Sequence, residues 1–484
     1  MTNLERPDSE RRKLLAGLGL GATALTTSVA LSGCNQLSNE GVATTPQSEK
    51  LSINNVGAFP SLPKTPLVNR ERATRIMKQA GIDAIICAVP RNIYYLTNYH
   101  PLLSKMGIDG FTYAILPADD RIAPVLVEGQ FGFYIAGAET ATKDLVDVRL
   151  HTGFAEADAA HMSQDLRSQL DAPAIPSFLP AMQNWHALNG LEQNKRDKTL
   201  AMSKDISASS HIALTKALID LGLEGKSLVV DSANLKSILG RADITDVRTN
   251  GEHVLRRIRL QKTPAEITLM RYAAQANAEA SLAAAKLVRD GANFQEMRQN
   301  YAAQCGERLL TPEFMVLDGV VPEMAQGEIK EGRSFLIDCV SHHQFYHGDY
   351  GRTVCVGEPT PEIQRATTAL AQIWDGLLPQ LKPGMYYNEI TDLAAEICAT
   401  TDTDAGHICN PHSVGLNHTD EPSVGDADYF VKDNLQLVEG MIISVDLPMT
   451  ETGLGGSAHL EDLVLITEDG AELINDGADR VIIV

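Results

Sequence analysis

Five separated residues in the last third of this 484-residue chain constrain it more than any other feature: Asp338, Asp349, His412, Asp446 and Glu461. Each stands in an apolar or glycine-marked setting. Asp338 closes the run Ser334-Phe335-Leu336-Ile337, Asp349 lies in Gly348-Asp349-Tyr350-Gly351-Arg352, and His412 in Pro411-His412-Ser413-Val414-Gly415. Asp446 ends Met441-Ile442-Ile443-Ser444-Val445, and Glu461 sits in His459-Leu460-Glu461-Asp462-Leu463-Val464-Leu465. A carboxylate at the end of an apolar strand is costly to bury unless it is paired or coordinates a metal. Four carboxylates and one imidazole form an oxygen-rich, borderline-hard donor set, suited to two divalent ions that share bridging carboxylates.

The order of these residues, with Asp349 eleven positions after Asp338, resembles the M24 "pita-bread" metallohydrolases. That family includes methionine aminopeptidase, Xaa-Pro aminopeptidase, prolidase and the metal-free creatinase. Five matches in order are far more specific than one short motif. The resemblance covers residues 255–484 well. A looser match precedes it, where Asn92-Ile93-Tyr94-Tyr95-Leu96-Thr97 is similar to a signature of creatinase-type N-terminal domains. It implies an α+β chain, with a pita-bread catalytic domain over 251–484 and an α/β creatinase-type domain over 63–250. It also implies two divalent ions (Mn, Co, Zn or Fe) held by Asp338, Asp349, His412, Asp446 and Glu461. Asp446 and Glu461 would move the proton, in a homodimer that cleaves short peptides such as Xaa-Pro dipeptides. The N-terminal domain would restrict access to short substrates.

Three departures from the family pattern bear on that expectation. Asp446, in Val445-Asp446-Leu447-Pro448, stands where the family commonly has Glu, one methylene longer. Thr419 stands where the family has a second His, and the nearest imidazole is His418. His418 either takes that substrate-contact role or belongs only to a turn, Asn417-His418-Thr419. The run Val321-Pro322-Glu323-Met324-Ala325 lacks the His that family peptidases carry ahead of the first Asp. These changes keep open a metal-dependent hydrolase or lyase of a small non-peptide molecule, splitting a C–N or C–S bond. A non-catalytic lipoprotein retaining the fold is a third reading, which the retained donors disfavour.

Neighbouring residues receive simpler expectations. His342, His343 and His347 fall on the loop joining the first two donors and could line the pocket, although a solvated loop is the simpler reading. Arg352 can bond a donor carboxylate or the partner strand. His459, where many relatives carry Arg, shares a strand face with Glu461 by the period-2 rule and can orient Glu461 or Asp446. Gly453, Gly455 and Gly456 serve a turn. No phosphate loop, nucleophile elbow or dinucleotide fingerprint is present.

Helix signals punctuate the chain. Arg70 to Ala80 reads as an amphipathic helix ended by Gly81, followed by a buried strand from Ala84. Thr263-Pro264-Ala265-Glu266 is a capping box, and Thr360-Pro361-Glu362 opens another helix the same way. Asn388 to Ala399 reads as a third.

The first 34 residues read as an address. Arg11-Arg12-Lys13-Leu14-Leu15 ahead of a Gly/Ala/Leu/Thr stretch resembles a twin-arginine export signal, and Leu31-Ser32-Gly33-Cys34 resembles a lipobox. Cys34 would then be lipidated, anchoring the protein in the periplasm or envelope; an uncleaved membrane anchor is the alternative. Residues 35–62, rich in Ser, Thr, Asn and Pro, read as a flexible tether. The formal net charge of −21 argues against nucleic-acid binding. The six cysteines after Cys34 show no metal-ligand spacing and read as buried thiols, although Cys339 and Cys355 could face each other across a hairpin.

Overall fold

A computed structural model describes residues 63–138, 142–152, 165–171, 179, 188–318, 327–403, 408–424, 430–450, 456–475 and 479–484. The expected signal, Cys34, the tether, the Val321–Ala325 run, Gly453 and Gly455 lie outside the described residues.

Two sheets organise the described residues. The first contains β1 (Ala84–Cys87), β2 (Tyr113–Pro117), β3 (Val125–Gly129), β4 (Asp147–His151), β5 (Leu228–Val230) and β6 (Val247–Arg248), in the order β4-β3-β2-β1-β5-β6. Its pairings are mixed: β1 runs antiparallel to β2 and parallel to β5. All four residues of β1 are buried, as a central strand covered on both faces requires. The expected first helix spans Arg70–Gln79, with the Asn69 side chain accepting from Arg72 N, and Gly81 follows at φ +60°. The segment from Pro90 to Thr97 is also a helix. There the buried Asn92 donates through Nδ2 to Asp231 and Glu252, and accepts from Arg259 at 2.6 Å.

The second sheet contains β7 (Thr311–Leu317), β8 (Ser334–His343), β9 (Tyr346–Cys355), β10 (Asn410–Ser413), β11 (Ile442–Met449) and β12 (Ala458–Ile466). They run β10-β11-β12-β9-β8-β7; β13 (Ala471–Leu473) adds to β12, and β14 (Val481–Ile483) to β9. All these pairs are antiparallel except β14 with β9. Helices flanking an antiparallel-rich sheet make the chain α+β.

The capping box holds: Thr263 accepts from Glu266 N, Glu266 accepts from Thr263 N, and the helix runs Pro264–Ala285. This alanine-rich helix lies close against β9. A Cβ on Gly348 would stand 2.6 Å from Asn277 Cβ, so only glycine admits that approach. Helices Pro361–Leu377, capped by Thr360, and Tyr387–Cys398 confirm the other two expectations within a residue or two.

The hairpin β8–β9 corrects the sequence reading. Both strands continue to His343 and Tyr346, leaving only Gln344 and Phe345 as the turn, at φ +49° and +68°. Two successive left-handed residues fit the twist of a tight hairpin, here without glycine. His342, His343 and His347 are therefore strand residues, not a solvated loop. Cys339 opposes Tyr350 and Cys355 opposes Ser334, so the two thiols do not face each other and both are free.

Candidate metal centre

Register brings the five expected donors to one face of the second sheet. The cross-strand partners Asn410, Asp446, Glu461, Gly351, Asp338 and Val316 form one continuous row across β10-β11-β12-β9-β8-β7. His412 opposes Ser444 and Asp349 opposes Val340, each pair two residues along its strands from that row. Side chains two apart share a face, so all five point the same way. The opposite face carries Ile337, Cys339 and Val354 into the apolar core with Ala276, Ala280 and Met297.

Distances define three overlapping groups. His412 Nε2 lies 3.6 Å from Asp349 Oδ2 and 3.9 Å from Glu461 Oε1. His418 Nε2 stands 3.1 Å from Asp349 Oδ2, and its ring centroid is 4.7 Å from that of His412. His459 Nε2 is 2.7 Å from Asp446 Oδ1 and 3.7 Å from Glu461 Oε2. The ligating atoms of Asp349, His412 and His418 lie within 4.8 Å of one another, as do those of Asp446, His459 and Glu461, and those of Asp338, Asp349 and Glu461. Asp349 and Glu461 each serve two groups.

The donors fit divalent cations by their unmet demand. Asp338 Oδ1, both carboxylate oxygens of Asp349, His412 Nδ1 and Glu461 Oε2 are buried without a well-formed hydrogen bond. Such a concentration of unsatisfied oxygen in a protein interior is costly and is relieved by a cation. The titration behaviour has the same origin. Burial, then the charge of Asp349, pushes Asp338 up to about 7 and Glu461 well above the usual carboxylate range. Burial also opposes charge on Asp349, but His418 beside it holds that carboxyl below its ordinary value. His418 rises to about 9: burial opposes its charge and the contact with Asp349 outweighs it. Burial, reinforced by His418, lowers His412 to about 4, which keeps its imidazole neutral as a ligand must be.

Several side chains that frame the site are not apparent from sequence alone. Ser444 Oγ donates to Glu461 Oε1 at 2.6 Å and fixes that carboxylate. A Cβ on Gly351 would overlap the His459 ring, so the glycine makes its seat. The loop carrying His412 and His418 is braced by Asp420, which accepts from Leu416 N and Asn417 Nδ2 and pairs with the fully buried Arg259 at 2.7 Å. Glu421 accepts from Ser413 N and from Tyr387 Oη.

Other expectations resolve individually. His418 is not only part of a turn, because its ring reaches Asp349. Arg352 bonds the partner strand, donating to the Glu461 carbonyl at 2.7 Å and to Asp462. His342 Nε2 meets Glu313 at 3.1 Å, and His347 Nδ1 lies 3.2 Å from the Gly415 carbonyl. His343 lies against Tyr272 and the Leu309 carbonyl, away from the donors.

Comparison with known proteins agrees with this architecture. Residues 268–468, which include all five expected donors, match the description of metallopeptidase family M24. Probable dipeptidase PepE of Mycobacterium tuberculosis is 26% identical over 241 residues, covering 48% of this chain and 62% of that protein. The chain thus matches less than two thirds of that relative's length. Xaa-Pro dipeptidase of Pyrococcus furiosus is 25% identical over 298 residues, 58% of this chain and 80% of that one. The solved prolidase from Pyrococcus horikoshii OT3 superposes with a TM-score of 0.54 at 18% identity, over 84% of this chain and 97% of that one. X-Pro aminopeptidase from Thermotoga maritima MSB8 gives 0.58 at 15% identity, over 85% and 100%. These likenesses identify the fold as the pita-bread fold, and residues 268–468 are similar to metallopeptidase family M24.

Proposed function

We propose that the protein is a hydrolase holding two divalent cations that cleaves short peptides, Xaa-Pro dipeptides among them. The observation that carries this reading is the sharing of Asp349 and Glu461 between overlapping donor groups on one sheet face. Bridging carboxylates are what a two-ion centre requires. When bound, such a pair of ions supplies an activated water and polarises a substrate carbonyl.

The chain's own residues have distinct parts. Asp338, Asp349, His412, Asp446 and Glu461 hold the ions. Glu461, fixed by Ser444, and Asp446 accept and return the proton of the attacking water. His418 meets the substrate: its side chain is 31% exposed, against 5% for His412 and 1% for His459. It therefore supplies, one position early, the imidazole that Thr419 does not. Residues 63–250 limit the substrate to short peptides. Export through the Arg11-Arg12 signal and lipid attachment at Cys34 complete the proposal, with the protein acting as an envelope-anchored homodimer.

Turnover of Xaa-Pro dipeptides, with non-proline dipeptides as controls, tests the reading. Chelator-sensitive cleavage of the proline peptides is expected. Bound metal without cleavage of any peptide would instead favour a small non-peptide substrate, the alternative that Thr419 keeps open.

A further inference from the structure

The donor group of Asp446, His459 and Glu461 contains a residue outside the expected five. We infer that His459 is itself a metal ligand, so that the centre binds its ions through the imidazoles of both His412 and His459. The inference rests on the two-ion reading above and concerns which side chains complete it.

The His459 ring is held as a ligand should be. Nδ1 lies 3.3 Å from the Ile337 carbonyl, an acceptor only, so Nδ1 carries the hydrogen and Nε2 faces the site. A backbone carbonyl behind the far ring nitrogen is the usual support of a ligating histidine. Nε2 then confronts two carboxylate oxygens, Asp446 Oδ1 at 2.7 Å and Glu461 Oε2 at 3.7 Å. Three lone pairs converging in a buried space repel unless a positive charge lies among them. A divalent cation seated among them would be met by one nitrogen and two oxygens.

The seat is built for this ring. His459 is almost fully buried, Gly351 leaves room beneath it, and Thr353 Oγ1 accepts from its backbone N–H and donates to its carbonyl. Asp446 has the short side chain, and His459 supplies a donor from the neighbouring strand, where Pro448 opposes it. A second imidazole shifts an oxygen-rich centre toward zinc, cobalt or iron and away from magnesium or calcium.

The decisive variant is His459→Arg. Arginine can still donate to Asp446, but its guanidinium offers no lone pair to a cation. Cobalt-loaded protein would be examined by X-ray absorption at the cobalt edge, which counts imidazoles, with metal content measured on the same samples. The expected count is about two imidazoles per two-ion centre in the unaltered protein and in His418→Gln, and about one in His459→Arg. An unchanged count in His459→Arg, or a count near one in the unaltered protein, overturns the assignment. If His459→Arg does not fold, His418→Gln decides: two retained imidazoles support His459, and a loss shows that His418 was the second ligand. Absence of any bound metal would defeat the two-ion reading itself, a result distinct from a changed imidazole count.

Discussion

Gly351 lies directly beneath His459. A Cβ at position 351 would overlap the imidazole and stand 2.8 Å from Glu461 Cβ, while Gly351 opposes both Asp338 and Glu461 in the sheet. One missing methyl group thus allows β8, β9 and β12 to bring two carboxylates and an imidazole together. Gly351→Ala is expected to displace His459, costing about 1–3 kcal/mol of stability through overpacking. Metal affinity should fall about 10–100-fold. Thermal denaturation and chelator competition measure the two effects; unchanged values in both would remove the packing argument.

His418 is expected to act on substrate and not on metal retention. His418→Ala should keep the bound metal while lowering turnover about 10²–10⁴-fold, the range for a lost proton-transfer or polarising group. Metal content and kcat measured on the same sample separate the roles. Loss of metal with loss of activity would make His418 a ligand instead.

The brace beneath the His412–His418 loop is a buried ion pair. Arg259 is fully buried and Asp420 accepts from it at 2.7 Å, 161 residues away in sequence. Removing one partner of such a pair leaves an uncompensated charge, so Asp420→Ala should cost about 3–5 kcal/mol. Urea denaturation checks the magnitude, and a change below about 1 kcal/mol would fit only a solvated pair.

A pH effect is expected far from the metal centre. Glu128 is buried in β3, where it accepts from Thr112 Oγ1 and Gly129 N, each at 2.7 Å. Burial raises its carboxyl from 4.5 to about 7. The folded state therefore holds a proton that the unfolded chain has released, and stability falls as pH rises from about 4.5 through about 7. The loss is on the order of 3 kcal/mol once both values are passed. Glu128→Gln, neutral at every pH, should flatten the decline of melting temperature between pH 5 and pH 8. Parallel profiles for the two proteins would refute it.

Legibility from sequence followed the range of the interactions. The five donors stand out because each lies in an apolar or glycine-marked setting, and the caps at Thr263 and Thr360 because their partners lie three residues on. The histidines on β8 and β9 were misplaced because Gln344-Phe345 carries no glycine to mark a two-residue turn. Gly351 under His459, Ser444 on Glu461 and Arg259 on Asp420 were invisible, since each depends on strand register or on segments distant in the chain. Ser444 had one local signal: it alternates with Asp446 on β11 and so shares its face.

The central claim is that this sheet face holds two divalent ions and uses them for hydrolysis. The most direct measurement is metal content per chain of the purified protein, before and after chelation, with Xaa-Pro dipeptide turnover followed on the same samples. The account predicts about two ions per chain, with activity lost on chelation and restored when the ions are returned. Protein that binds no divalent metal, or that cleaves the peptide equally well without it, contradicts the account.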